Sequence, residues 1–301
     1  MKQLLVLIFF FVMIGLYAHE SKAIETYGYD EQISSDRIVL ITGSTSGLGR
    51  EVARGLVEQG AHVIIHGRSE ERGDALAKEL NDKRKNSARF YAADFGSLST
   101  IKAFAESIKQ DYKRLDVLIN NAGIALIGQD ERRVSEDGYE LHFQVNYLAG
   151  FMLTDLLMPL LEKGRKSRII NVSSLSASPL DFDNLMLEKD YSSWRAYGQS
   201  KLAQVMYTID LSEKLKAKSI TVNALHPGTF MDTNMVISAG LTPRSSVMDG
   251  RDAVLQLVNG EDVGNGEYYD GLNKATPNEQ AFDESVRAQL WQVSKELIDQ
   301  K

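Results

Sequence analysis

Tyr197 stands four positions before Lys201 in the segment YGQSK. A helix brings residues i and i+4 to one face, so the lysine ammonium can sit beside the phenol. A cation there favours phenolate and lowers a tyrosine pKa from about 10 toward a range useful for proton transfer. Of the 12 tyrosines in the chain, only Tyr197 has a lysine at that spacing. Upstream, Ser173 and Ser174 close an apolar run, and a hydroxyl there can hydrogen-bond and polarise a carbonyl. These residue types describe acid–base chemistry at a carbonyl or an alcohol.

A second group suits a dinucleotide. TGSTSGLG at 42–49 follows one apolar run and opens a helical pattern. Glycines in that place let the backbone turn sharply and approach a pyrophosphate, while the helix N-terminus offers unpaired N–H groups and a positive dipole end. A hydrolase's nucleophile elbow would need serine where Thr45 stands. About 20 residues after the glycines, a carboxylate would bind the ribose 2′-hydroxyl and an arginine would suit a 2′-phosphate. The chain reads His66-Gly67-Arg68 there, which favours NADP(H) over NAD(H).

The elements that must carry these residues alternate. Apolar β-rich runs lie at 37–42, 62–66, 88–93, 115–120, 168–173, 219–225 and 267–269. Helical periodicity separates them at 48–58, 101–112, 153–161 and 203–215. Such βα alternation predicts an α/β fold, a single doubly wound Rossmann domain with a parallel, about seven-stranded sheet covered on both faces. Asp94 and the NNAG segment at 120–123 then fall at carboxyl ends of strands, where open α/β sheets bind ligands. With no linker, composition break or repeat, residues 35–301 read as one domain behind a short lead at 24–34.

Residues 4–18 are apolar without interruption and follow Lys2. The run is short for a bilayer-spanning helix of about 20 residues, so 1–23 read as a cleaved signal peptide or an uncleaved signal anchor. Acidic residues dominate after it, which predicts translocation of the globular part. The expected location is the secretory pathway, in the lumen or membrane of the endoplasmic reticulum, or exported. The alternative is an anchored protein facing the cytosol, where NADP(H) is supplied.

Composition removes other classes. A net charge of −7 argues against nucleic acid as a partner, and the absence of Cys excludes disulfides, thiolate metal sites and thiol nucleophiles. The 5 histidines show no metal-binding spacing, so no metal site is expected; His62 and His66, on a predicted strand, read as structural.

In their order along the chain, TGSTSGLG, Asp94, NNAG, Asn146 in VNYLAG, Ser174 in INVSS, YGQSK and Pro227-Gly228-Thr229 resemble the short-chain dehydrogenase/reductase family. The resemblance implies a catalytic tetrad of Asn146, Ser174, Tyr197 and Lys201. In it Tyr197 is the general acid/base, Lys201 lowers its pKa and holds the nicotinamide ribose, Ser174 orients the carbonyl, and Asn146 holds a water of the proton relay. Cofactor contacts would come from Gly43, Ser44, Ser46, Gly47, Leu48 and Gly49 in the loop. Arg68, Asp94, Asn121, Ala122 and Gly123 would add to them, with Tyr197 and Lys201. Pro227, Gly228 and Thr229 would border the nicotinamide.

The long separation between Ser174 and Tyr197 is most similar to the retinol-dehydrogenase-like branch, whose substrates are lipophilic aldehydes, ketones and alcohols. Phe182, Leu185, Met186, Tyr191 and Trp194 in that insert, with the apolar residues of 230–248, form either a lid over the site or core and dimer surface. The resemblance also implies pairing of two chains through the helices that carry Asn146 and Tyr197. The rival reading is a non-catalytic NADP(H)-binding sensor or scaffold, which loss of Tyr or Lys would mark; both are present.

Overall fold

The computed structural model describes residues 37–129 and 131–300. The targeting segment read at 1–23, the whole lead at 24–34 and residues 35–36 of the expected domain lie outside the described residues. Among those described, no helix is long and apolar enough to cross a membrane.

Successive residues of each central strand serve opposite layers. In β1 (Ile38–Ile41), Ile38 and Leu40 pack into one cluster and Val39 and Ile41 into the other. Both faces are therefore covered, which explains why this strand and β4 (Val117–Asn120) read as unbroken apolar runs. The remaining parallel strands are β2 (His62–Gly67), β3 (Ala88–Ala92), β5 (Arg168–Val172), β6 (Thr221–His226) and β7 (Tyr268–Asp270). The order is β3-β2-β1-β4-β5-β6-β7-β8. The eighth strand, β8 (Asn273–Ala275), runs antiparallel at the edge. It is one strand more than the sequence predicts, because three largely exposed residues, NKA, carry no apolar signal.

Helices α1 (Gly47–Glu58), α2 (Glu70–Lys83) and α7 (Val247–Asn259) cover one face. Helices α3 (Leu98–Asp111), α4 (Ala149–Leu161), α5 (Ser193–Lys214) and α8 (Glu284–Asp299) cover the other. A short α6 (Asn234–Ser238) lies between β6 and α7. Strands β1 and β4 are neighbours although the chain passes through β2 and β3 between them, so the loops leaving them diverge at a switch point and open a crevice.

Helix α8 bears on the expected pairing surface. Arg287 Nε donates to Asp210 Oδ1 on α5 at 2.6 Å, and Lys295 pairs with Asp155 on α4 at 3.0 Å. The Trp291 ring packs against Phe151 and Tyr207 with centroids 5.3 and 5.8 Å away, and Ser294 meets the Tyr147 hydroxyl at 2.7 Å. The chain thus covers with its own last helix part of the α4/α5 face that the resemblance assigns to a second copy. The insert also resolves. Leu185 is buried in the core cluster with Phe182 and Met186 packed against it, so this part is core rather than lid.

Candidate active site

A cavity of about 610 Å³ opens over the carboxyl ends of the strands. Its floor begins at the glycine loop. Gly43 has φ +64, and a Cβ there would stand 2.8 Å from Ala122 Cα; at Gly49 a Cβ would meet Asn121 Nδ2 and the Gly43 carbonyl at 2.6 Å. Only glycine leaves room for the two loops to touch. The N-cap of α1, Ser46, is extended and makes no side-chain cap, and the first turn has no acidic residue, so the helix end stays open to an anion.

The loop after β4 fastens this floor. Asn121 Nδ2 donates to the Thr42 carbonyl at 2.8 Å, while Thr42 Oγ1 accepts the Asn121 and Ala122 N–H groups at 3.0 and 2.9 Å. Asn120 is turned inward, donating to Asn171 and Thr154. Arg68 at the tip of β2 and Arg72 in the first turn of α2 both line the cavity, with Arg68 3.9 Å from Asp94.

The opposite wall carries the hydroxyls and the amine. Tyr197 and Lys201 lie on one face of α5, with Lys201 Nζ 5.6 Å from the phenol ring centre. Burial raises the Tyr197 phenol, and a hydrogen bond with Ser174 acts against that rise. Burial also pulls Lys201 down to about 7. Its Nζ donates to the Val172 carbonyl at 2.9 Å and Gln204 Oε1 at 3.0 Å, so no carboxylate holds it charged. Ser173 and Ser174 both line the cavity, but Ser173 Oγ donates to the Lys201 carbonyl at 2.7 Å and anchors the helix.

Of the residues expected here, Gly43, Ser46, Gly47, Leu48, Gly49, Arg68, Asp94, Asn121, Ala122, Gly123, Ser174, Tyr197, Lys201, Pro227, Gly228 and Thr229 line the cavity. Two do not. Ser44 is fully buried and bonds the β1 and β2 backbones, accepting the His66 N–H at 3.0 Å and donating to the Ile41 carbonyl at 2.8 Å. Asn146, on a π-helical turn (Phe143–Leu148), exchanges hydrogen bonds with both backbone groups of Ile124 and donates to Ser200 Oγ at 2.9 Å. It frames the site from behind, reaching its edge beneath Gly123, where Lys201 Nζ also arrives.

Several residues escape sequence reasoning. His66, read as structural, lines the cavity. Arg72 follows Arg68 at a spacing without a motif of its own. Glu140 and His142 form a buried pair at 2.8 Å. His142 Nε2 accepts the Leu126 N–H at 3.0 Å, and its ring stands edge-on to Tyr197 with centroids 6.3 Å apart. With Asn146 at Ile124 and Ser193 at Gly128, this pair shapes the loop that roofs the cavity near the phenol. The expected apolar cover is present in part: Trp194, Phe230, Met231, Met235, Val236 and Leu241 line the cavity, whereas Ile237 and Met248 face outward.

Residues 37–243 match the family model of the short chain dehydrogenases, and the chain belongs to that family of oxidoreductases. It is similar to retinol dehydrogenase 13 of Homo sapiens, 36% identical over 285 residues that cover 87% of this chain and 84% of that relative. Retinol dehydrogenase 14 of Homo sapiens is 33% identical, with 90% of this chain and 89% of the relative covered. Among solved structures, a short chain dehydrogenase of Shigella flexneri complexed with NADP aligns with a TM-score of 0.66 at 27% identity, covering 80% of this chain and 99% of the other. One of Escherichia coli complexed with NADPH also aligns at 0.66 and 27%, covering 81% and 100%.

Proposed function

We propose that the protein transfers a hydride between NADP(H) and the carbonyl–alcohol pair of a lipophilic aldehyde, ketone, retinoid or steroid-like substrate. One observation supports this most directly: a phenol, a hydroxyl and a buried amine converge on the cavity whose floor is a glycine loop and an open helix end. The nicotinamide dinucleotide, when bound, supplies the hydride. The glycine loop and the α1 N-terminus receive its pyrophosphate. Arg68 and Arg72 hold a 2′-phosphate, Asp94 meets the adenine, and Pro227, Gly228 and Thr229 border the nicotinamide.

Ser174 Oγ orients the substrate oxygen, and Tyr197 Oη gives that oxygen a proton in reduction or takes one in oxidation. Burial raises the phenol and lowers the amine, so Tyr197 keeps its proton at rest. The phenol is then the ready proton donor, the state that carbonyl reduction uses. Protonated Lys201 offsets the phenolate left behind, and Asn146 holds the relay by which the proton is replaced. Trp194, Met235, Val236 and Leu241 give an aliphatic or polyene substrate an apolar surface.

The full chain is assayed by nicotinamide absorbance against a panel of carbonyls that includes retinal. Tyr197→Phe is expected to lower turnover about a hundredfold or more. Equal rates in the two proteins would sink the assigned acid, and no turnover of any carbonyl by the wild type would favour a nucleotide sensor. Arg68→Ala is expected to weaken NADPH about tenfold while NADH binding changes little. Equal losses for both nucleotides would remove the phosphate role.

A further inference from the structure

The imidazole of His66 is buried at the tip of β2, between the glycine loop and the end of β3. Its Nδ1 lies 3.0 Å from the Gly43 nitrogen and its Nε2 lies 3.2 Å from the Ala93 carbonyl. A carbonyl only accepts, so Nε2 carries the proton and Nδ1 is the bare acceptor for the Gly43 N–H. The ring plane is set by Phe95, stacked with centroids 4.1 Å apart. The backbone of the same residue is tied to the loop: Ser44 N donates to the His66 carbonyl at 2.8 Å, and His66 N donates to Ser44 Oγ at 3.0 Å. On its other side Gly43 abuts Ala122. The loop's most permissive residue is thus gripped between an imidazole acceptor and the backbone after β4.

We propose that His66 is a positioning residue for the dinucleotide, holding the glycine loop, through the Gly43 N–H, in the shape that receives a pyrophosphate. This rests on reading the cavity as an NADP(H) site. Without the acceptor, the part-buried Gly43 N–H loses its partner in the protein, and a glycine at φ +64 is free to leave that conformation. Only the competent fraction of loops then binds, so the apparent Kd rises. The pyrophosphate is common to both nicotinamide dinucleotides, so the loss falls equally on NADPH and NADH, unlike that of Arg68→Ala.

The test is fluorescence titration of the full chain with NADPH and with NADH, comparing wild type, His66→Phe and His66→Asn. Phe keeps a ring against Phe95 but has no acceptor; Asn gives up the ring but presents Oδ1 near the place of Nδ1. His66→Phe is expected to raise both Kd values about tenfold or more, and His66→Asn to stay within about threefold of wild type. A merely structural ring predicts the reverse order, because Asn forfeits the stacking. Wild-type affinity in His66→Phe, or His66→Asn binding no better than His66→Phe, would overturn the proposal. Equal wild-type affinity for the two nucleotides would overturn the NADP preference and leave the expected order of the His66 variants intact. Binding of neither nucleotide by the wild type would overturn the site reading and this proposal together.

Discussion

The two walls of the cavity are built on different principles. On the glycine-loop side, polar side chains reach across three strand ends: Thr42 and Asn121 join β1 to β4, and Ser44 and His66 join β1 to β2. Facing them, the excursion at 229–249 closes on itself, with Arg244 N bonded to the Phe230 carbonyl, Asp232 N to Ser245 and Val247 N to Asp232. Its apolar side chains divide between the cavity and the exterior, where Ile237 is 58% exposed. The first wall has geometry imposed from several directions; the second has surface and composition. A ligand of fixed shape suits the former and a variable apolar one the latter, and binding segments with few outside bonds open at low free-energy cost.

That contrast can be broken most sharply at Gly49. Gly49→Val puts a branched side chain into Asn121 and the Gly43 carbonyl, so nucleotide affinity is expected to fall a hundredfold or more, about 3 kcal/mol, in titrations of NADPH. An affinity close to wild type would show the floor to be as pliable as the opposite wall.

The polar wall should also answer to acid. Burial holds His66 down at about 4 from a usual 6.5, with Asp94 raising it and Arg68 lowering it. Between those values the unfolded chain binds the proton and the folded chain does not, so stability rises with pH. Full above about 6.5, the contribution is lost as pH falls toward 4, by about 3 kcal/mol at most. Urea midpoints of wild type and His66→Asn should converge on acidification through that window; parallel curves would contradict it.

The smallest change is expected on the apolar wall. Val236→Asn should raise KM for a lipophilic carbonyl about tenfold, roughly 1.4 kcal/mol, with NADPH affinity unchanged. A matching loss of nucleotide affinity would mean that the two walls are not independent.

Much of this was legible in the residues. The strands of the central sheet announce themselves because burial on both faces leaves no polar alternation, and the glycine loop because close backbone approach admits no other residue. The eighth strand was not, since three polar edge residues have no periodicity. Leu185 and Trp194 show the limit from another side: both are apolar members of one insert, yet one is core and the other faces the cavity. Hydrophobicity records that a side chain leaves water, not where it goes. The place of His66 at the cavity was not legible for the related reason that its partners, Gly43 and Ala93, lie far from it in the chain.

By itself the sequence determined the layered α/β architecture, the place of the glycine loop and the juxtaposition of Tyr197 with Lys201, because all three depend on local period and spacing. Only the tertiary structure decided that Ser173 commits its hydroxyl to the Lys201 carbonyl, that Ser44 and Asn146 support the cavity rather than line it, and that α8 covers part of the α4/α5 face. It also brought burial to bear on the Tyr197–Lys201 pair. Spacing alone predicts a cation that lowers the phenol, but burial acts on both groups and favours their neutral forms. Desolvation is a property of the packed surroundings, and no pair of positions in a chain contains it.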